Sequence, residues 1–296
     1  MERSMRVATF SIGGERRVGI VDADSETIAP FDLTVERAES GILALIDRNG
    51  AGAPRTLSPI PLAQVELEAP IPQPRRNIFC VGKNYYEHAH EFAKSGFDSS
   101  AAAGAIPKNP IIFSKVPESV IANRASVMID SKVSTAIDYE AELAVIIGKA
   151  GRGISKENAF DHVWGYTIVN DVTARDLQGK YSQWLIGKSQ DTFCPMGPWA
   201  VTRDEIDLEK TGIRCFVNGE LRQDSKIPLL IFDIPTIIAT LSEGITLRPG
   251  DIIATGTPAG VGIGFDPPKY LKAGDFVRVE IDGIGALENP IAERLQ

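Results

Sequence analysis

Two glutamates separated by one residue are the first feature of this sequence that suggests chemistry. They are Glu140 and Glu142, in the segment DYEAELAVII (138–147). Alternate side chains of a β-strand point to one face, so the two carboxylates would lie about 7 Å apart on the same side. A solvent-exposed strand face would give the same pattern. However, apolar residues follow on both faces of this strand, and a carboxylate beside a buried surface requires a partner.

A third carboxylate, Asp171, follows the apolar segment 164–170, which we predict to be a strand. If the two strands pair in one sheet, Asp171 comes close to Glu140 and Glu142. Three carboxylates form an all-oxygen site, which suits Mg²⁺, Mn²⁺ or Ca²⁺ better than zinc. An octahedral ion with three protein ligands keeps positions for water or a chelating substrate. Spacing alone leaves both this metal site and a solvated acidic face open.

The elements that would position these acids are mainly strands. Beyond residue 75 the chain contains many short apolar segments bounded by Gly, Pro or Asp, and it has few helical segments. We expect helices over 85–93 and 235–241, and one that begins at Ser155. Because strands and helices do not alternate regularly, the pattern favours an α+β, mainly β fold with a mixed sheet folded on itself over a Rossmann or TIM arrangement.

The first 74 residues are predicted to form a small α+β domain. Residues 5–31 indicate two strands around a Gly-Gly turn, and residues 35–48 carry apolar side chains at helical spacing. The segment APIPQPRR (69–76) contains three prolines and favours an extended connection. We therefore place a domain boundary after residue 74, with a catalytic domain over 75–296.

Five segments, in order and at the expected spacing, resemble the catalytic domain of the fumarylacetoacetate hydrolase family. They are GKNYYEHAHEF (82–92), DYEAEL (138–143), NDVTARDLQ (170–178), GKSQDTFCPMGPW (187–199) and TGTPAG (255–260). The resemblance begins near residue 78 and extends to the C-terminus. It implies a mixed β-sheet roll of the family's type, a homodimer or higher oligomer, and Mg²⁺ or Mn²⁺ held by Glu140, Glu142 and Asp171.

His88 and Glu91 stand three residues apart in a predicted helix, so their side chains share a face. A pair at this spacing is most often a surface feature. The H-x-x-E motif of the family falls on these two residues, and the resemblance implies a dyad in which Glu91 orients His88 to activate water. His90 and His162 have no counterpart in the family and are interpreted as structural.

Four further residues are expected to contact the substrate. By sequence alone Lys188 would be an exposed cation, but the resemblance implies that it lies in the active site and binds substrate or stabilises an oxyanion. Arg175 and Gln178 would lie near the metal if the chain is helical after Asp171, where they would bind a distal carboxylate or carbonyl. Thr257 would offer a hydroxyl and backbone amides to the same ligand.

The composition excludes several other classes of protein. With 39 acidic and 31 basic residues the net charge is −8, and no basic stripe is present for nucleic acid. No signal peptide and no apolar segment of about 18 residues occurs, so we expect a cytoplasmic protein without a membrane partner. The cysteines, Cys80, Cys194 and Cys215, are widely separated and are interpreted as buried thiols. The absence of a G-x-S-x-G motif argues against an ordinary serine hydrolase.

The activity that the resemblance implies is cleavage of a C–C bond in a 2-oxo acid with release of pyruvate. The substrate would be an acylpyruvate, a fumarylpyruvate or a maleylpyruvate, hydrolysed by water that His88 activates. Alternatives within the family are an oxaloacetate decarboxylase and a 2-hydroxydienoate isomerase or hydratase. A metabolite-binding protein without activity and a Schiff-base lyase using Lys188 are the alternatives from other classes.

A segment of small and flexible residues follows the predicted dyad. Residues 92–107 contain two Phe together with Gly96 and Gly104, and their small side chains bury little area. We predict that this segment is a lid that closes over bound substrate, the alternative being a passive surface loop.

Overall fold

The computed structural model describes residues 4–48, 52–94 and 106–294, so most of the predicted lid lies outside the described residues. The strands are β1 (Arg6–Ile12), β2 (Glu15–Asp22), β3 (Thr27–Pro30), β4 (Ile60–Pro61), β5 (Glu66–Leu67), β6 (Ile78–Gly82), β7 (Ile111–Lys115), β8 (Val120–Ile121), β9 (Val127–Ile129), β10 (Ile137–Asp138), β11 (Ala141–Ile147), β12 (Val163–Asn170), β13 (Thr173–Ala174), β14 (Cys194–Thr202), β15 (Gly212–Val217), β16 (Glu220–Lys226), β17 (Ile252–Ala254), β18 (Phe276–Ile281) and β19 (Gly285–Glu293). The α-helices are α1 (Val35–Ala38), α2 (Leu43–Ile46), α3 (Tyr86–Lys94), α4 (Arg175–Lys180), α5 (Leu185–Lys188) and α6 (Ile234–Ser242).

Two large mixed sheets form the body of the described molecule. The first follows the order β4-β3-β2-β1-β14-β12-β11-β17-β6-β7, with β5 beside β1 and β8 beside β14. The second has the order β16-β15-β18-β19-β9. Most pairs are antiparallel, but three described pairs are parallel: β17 with β6, β19 with β9 and β14 with β8. The prediction of a mainly β, mixed-sheet fold is confirmed.

Strand β11 lies at the centre of the first sheet, between β12 and β17. All seven of its residues are buried. Leu143, Val145 and Ile147 pack into the core shared with the second sheet, whereas Ala144 and Ile146 pack into the core on the opposite face. The strand is therefore apolar on both sides, as the sequence predicts, and the acidic residues at its start adjoin a dry interior.

The N-terminal strands extend the same sheet rather than forming one of their own. β1 pairs with β14, with Arg6 opposite Val201. The segment 35–48 forms two short helices instead of one continuous helix, because Gly41 between them has φ of +62° and a Cβ there would lie 2.5 Å from the Pro70 carbonyl oxygen. Whether residues 1–74 fold as an independent domain stays a prediction.

The helices are few and short, as predicted. α3 and α6 lie within one or two residues of their expected bounds, and Asp233 caps α6 by accepting from the Thr236 N–H at 2.8 Å. The segment after Ser155 forms a 3₁₀ helix, Lys156–His162. In the described ranges, no helix has both the length and the apolar character needed to span a membrane.

Candidate active site

Strand pairing brings the three predicted carboxylates together. Ala141 lies opposite Asn170 in the β11–β12 ladder, and the Asp171 N–H donates to the Glu140 carbonyl at 2.9 Å. One carboxylate oxygen from each of Glu140, Glu142 and Asp171 lies within 4.8 Å of the others, and all three residues are buried. The local cause is the antiparallel register, which places the start of β11 beside the end of β12.

Two of the predicted substrate contacts, Lys188 and Arg175, are buried cations that contact these acids. The Lys188 Nζ lies 2.8 Å from Glu140 Oε2 and 2.8 Å from Asp171 Oδ2, so its ammonium bridges the two carboxylates. Arg175, on α4, lies 2.7 Å from Glu140 Oε1 through its Nη1. Lys188 is only 1% exposed, so the expectation from sequence alone of a surface cation is wrong for this residue. Its burial without these acids would be strongly unfavourable.

The neighbouring charges shift the pKa values of Glu140 and Glu142 in opposite directions. Burial opposes ionisation of Glu140, but Lys188 and Arg175 outweigh it and lower the pKa of Glu140 to about 2. Burial, reinforced by Asp171 and Glu140, raises the pKa of Glu142 well above its usual value. Among the described residues Glu142 makes no ion pair, and it accepts one hydrogen bond, from the Gly256 N–H at 2.8 Å. A divalent cation bound here would supply the direct ion-pair contact that the described residues do not give Glu142.

Lys115 is a cation of this cluster that sequence reasoning missed. It is fully buried at the end of β7, where its Nζ donates to Asp171 Oδ1 at 2.6 Å, to the Val172 carbonyl at 3.1 Å and to the Lys188 carbonyl. The only available signal was a lysine that ends an apolar strand. A lysine in that position is usually a surface residue, so this signal is weak.

Asp138 holds Arg175 in place and was also missed. Its carboxylate accepts from Arg175 Nε at 2.8 Å and from the backbone N–H groups of Gly262 at 2.6 Å and Ile263 at 3.0 Å. The guanidinium is thereby aimed at Glu140 and at Gln178 Oε1, which lies 3.1 Å from Nη1. Asp138 lies in the motif 138–143, but its role depends on a turn more than 120 positions later in the sequence.

The predicted dyad lies on α3. His88 Nδ1 and Glu91 Oε2 are 3.3 Å apart, which agrees with side chains that share one helical face. Glu91 Oε1 also accepts from the Gly260 N–H at 3.1 Å. His88 is buried and Glu91 is half-buried. The pair therefore has the geometry of an oriented imidazole.

One cavity brings most of the predicted site residues together. It is lined by Val81, Gly82, Lys83, His88, Phe113, Glu140, Glu142, Arg175, Gln178, Trp184, Lys188 and Thr257. Glu91 and Asp171 lie behind this lining and contact it through His88 and Lys188. Lys83, buried and with φ of +54°, is a further lining residue that the sequence analysis did not select. The cavity thus combines a carboxylate cluster, several cations and an imidazole.

Comparison with known proteins agrees with this arrangement. Residues 77–292 match the family described as fumarylacetoacetate (FAA) hydrolase C-terminal, so the chain belongs to the fumarylacetoacetate hydrolase family. It is 52% identical to oxaloacetate tautomerase YisK of Bacillus subtilis (strain 168), over 78% of this chain and 74% of that protein. It is 40% identical to oxaloacetate tautomerase Fahd2a, mitochondrial, of Rattus norvegicus, over 98% of this chain and 92% of the relative.

Solved structures support the same family. A fumarylacetoacetate hydrolase from Exiguobacterium antarcticum has a TM-score of 0.84 and 40% identity, covering 98% of this chain and 100% of that one. A 2-hydroxyhepta-2,4-diene-1,7-dioate isomerase from Mycobacterium marinum has a TM-score of 0.78 and 31% identity, with coverage of 99% and 100%. The family resemblance and the family's mixed-sheet roll are confirmed, and the protein is an enzyme of this family.

The comparisons also bear on the finer predictions. The relatives' names favour the alternative based on oxaloacetate and isomerase chemistry over hydrolysis of an acylpyruvate. Some relatives are described as mitochondrial, so the cytoplasmic location stays a prediction.

Proposed function

We propose that the protein is a divalent-metal-dependent oxaloacetate tautomerase, which interconverts the keto and enol forms of this 2-oxo acid. The observation that carries the proposal is the similarity to an oxaloacetate tautomerase over 98% of this chain. The site is consistent with it, since one cavity holds a carboxylate cluster for a metal and an imidazole for proton transfer. The same similarity favours tautomerisation of oxaloacetate over hydrolysis of an acylpyruvate, a fumarylpyruvate or a maleylpyruvate.

Glu140, Glu142 and Asp171 would hold Mg²⁺ or Mn²⁺, with Ca²⁺ as the third option. Their oxygens match the ligand preference of these ions, and the buried Glu142 carboxylate lacks a cation among the described residues. The bound ion would act as a Lewis acid that polarises the keto oxygen of the substrate.

The substrate is a dianion, so its two carboxylates require donors inside the cavity. Arg175, Gln178, Lys188 and Thr257 all line the cavity and are the proposed substrate contacts. The acids Asp171 and Glu140 raise the pKa of Lys188 despite its burial, so its ammonium stays charged. A fixed positive charge near the substrate's C2 oxygen would stabilise the negative charge that develops there when C3 loses a proton.

His88 is the proposed base. Tautomerisation moves one proton between C3 and the C2 oxygen, two positions on neighbouring carbons, and consumes no water. A single base can therefore take the proton from one position and deliver it to the other. Glu91 orients the ring through Nδ1, and Nε2 is the nitrogen that we assign to this transfer.

Three assays run in parallel test the proposal. Freshly dissolved enol oxaloacetate is followed by loss of its ultraviolet absorbance, while pyruvate release is measured from oxaloacetate and from acylpyruvates. We expect Mg²⁺ or Mn²⁺ to support rapid loss of the enol without pyruvate. Release of pyruvate from acylpyruvates, with no acceleration of tautomerisation, would restore the hydrolytic reading, and release from oxaloacetate would indicate a decarboxylase.

The homodimer implied by the resemblance stays a prediction, because the structure contains a single chain. Light scattering after size-exclusion chromatography would test it, with a mass near twice the 32.0 kDa of one chain as the expected result.

A further inference from the structure

We propose that Gln223 is a positioning residue that fixes the Thr257 hydroxyl as a hydrogen-bond donor toward the cavity, so that this part of the site selects an acceptor oxygen of a 2-oxo acid. The class of ligand rests on the proposed function. Gln223 lies on β16, in the second sheet, and is 0% exposed. It reaches across to the first sheet and to the turn that carries Thr257.

The orientation of the Gln223 amide follows from its neighbours. Oε1 lies 3.0 Å from the Ala141 backbone N–H, which can only donate. Nε2 lies 2.7 Å from the Pro258 carbonyl oxygen, which can only accept. A flipped amide would place two donors together on one side and two acceptors together on the other. The amide therefore has one allowed orientation.

This orientation determines that the Thr257 hydroxyl accepts a hydrogen bond from Gln223 rather than donating one to it. Nε2 carries two hydrogens, of which one serves Pro258 and the other serves Thr257 Oγ1 at 2.7 Å. The Thr257 oxygen thus accepts, and its own hydrogen must point away from Gln223. In the described part of the chain no protein acceptor receives that hydrogen, although Thr257 is only 2% exposed and lines the cavity.

A buried donor without an acceptor is unfavourable, and a ligand oxygen would satisfy it. A carboxylate or keto oxygen fits, whereas an N–H or O–H group of a ligand would face another donor. Gln223 also binds the backbone of Ala141, the residue between Glu140 and Glu142. The same side chain therefore also contacts the strand that carries Glu142.

A double-mutant cycle tests this role by calorimetry of oxalate binding in the presence of Mg²⁺. Oxalate presents only acceptor oxygens, and its binding does not require turnover. Thr257→Val should weaken binding about 10-fold or more, as expected for loss of a hydrogen bond to a charged group. Gln223→Met should weaken it similarly, and adding Gln223→Met to Thr257→Val should change it by less than about 2-fold. Gln64→Met, on the exposed surface, is the matched control and should bind as the wild type does.

The proposal is overturned if the double variant weakens oxalate binding by the product of the two single factors. A purely structural Gln223 would give that result, because it would act whether or not the Thr257 hydroxyl is present. The wild-type protein could lack tautomerase activity while the effects of the two substitutions on oxalate binding still fail to multiply. That outcome would count against the proposed function only. If Gln223→Met fails to fold, neutron diffraction on the wild-type protein decides: we expect the Thr257 deuterium to point into the cavity, and a deuterium directed at Gln223 would contradict the assignment.

Discussion

The two chemical parts of the site differ in the kind of contacts by which the fold holds them. The carboxylate cluster (Glu140, Glu142 and Asp171) stands at the start of β11 and the end of β12, and its contacts to Lys188, Arg175 and Lys115 are 2.6–2.8 Å long. The dyad, His88 and Glu91, lies on the nine-residue helix α3, where His88 Nδ1 is 3.3 Å from Glu91 Oε2 and Glu91 Oε1 accepts from the Gly260 N–H at 3.1 Å. The carboxylate cluster, which we call the binding wall, is a set of buried acids paired with buried cations, whereas the dyad is an imidazole beside one carboxylate.

This difference has an electrostatic cause. Buried carboxylates are unfavourable unless cations and hydrogen bonds compensate them, so a cluster of acids at the end of a dry strand must be densely paired. An imidazole carries no negative charge that needs compensation and can lie on a short helix. We therefore expect mutations to separate metal and ligand binding from proton transfer.

The largest effect is expected from removing a carboxylate of the cluster. Glu142→Ala or Asp171→Ala takes away one of three oxygen ligands together with its charge, so metal binding and activity should both be lost. Calorimetry with Mn²⁺ measures the first and the enol assay the second. Glu157→Ala, on the exposed 3₁₀ helix, is the matched control. Wild-type affinity for Mn²⁺ in either cluster variant would show that the ligands are assigned wrongly.

Removing the imidazole should leave the binding wall intact. His88→Ala is expected to slow tautomerisation by about 10²- to 10⁴-fold, the usual range for loss of a general base, while Mn²⁺ and oxalate bind as in the wild type. His90→Ala, exposed on the same helix, controls for disturbance of α3. Equal rates in the two variants would remove His88 from the mechanism.

The sequence predicts the carboxylates of the binding wall better than the residues that hold them in place. Strand periodicity places Glu140 and Glu142 on one side, and pairing of neighbouring strands brings Asp171 beside them, so both inferences need only local geometry. Lys115 and Gln223 approach from strands that are distant in sequence, and no local pattern encodes such contacts. The interruption at Gly41 depends on the approach of Pro70, which is likewise a tertiary effect.

Substitution of Lys115 tests how much its ion pair with Asp171 contributes to the free energy of unfolding. Lys115→Met removes the ammonium closest to Asp171 and leaves a buried carboxylate with one cation fewer, so we expect the free energy of unfolding to fall by about 3–5 kcal/mol. Urea unfolding of the chelator-treated protein measures this change. Lys132→Met, on the surface, should lie within about 0.5 kcal/mol of the wild type. A similarly small change for Lys115→Met would mean that Lys188 alone compensates Asp171.

The smallest effect is expected from a thiol reagent, because Cys80 and Cys194 are buried in the core on one face of the first sheet and Cys215 in the core on the other. Burial raises the pKa of the Cys194 thiol to about 12 and that of Cys80 well above its usual value, and Cys215 shifts in the same direction. Native protein should therefore resist iodoacetamide at neutral pH, and mass spectrometry should find all three cysteines labelled only after denaturation. Rapid labelling of the native protein at any of them would reveal an opening of the core.

We propose that the carboxylate cluster is a metal centre for a 2-oxo acid. Anomalous diffraction from crystals grown with Mn²⁺ and oxalate tests it most directly, because it locates the ion without reference to activity. We expect one strong anomalous peak, from an ion bonded to oxygens of Glu140, Glu142 and Asp171, with oxalate on the cavity side of the ion. The absence of a peak, with Lys188 still bridging Glu140 and Asp171, would contradict this assignment.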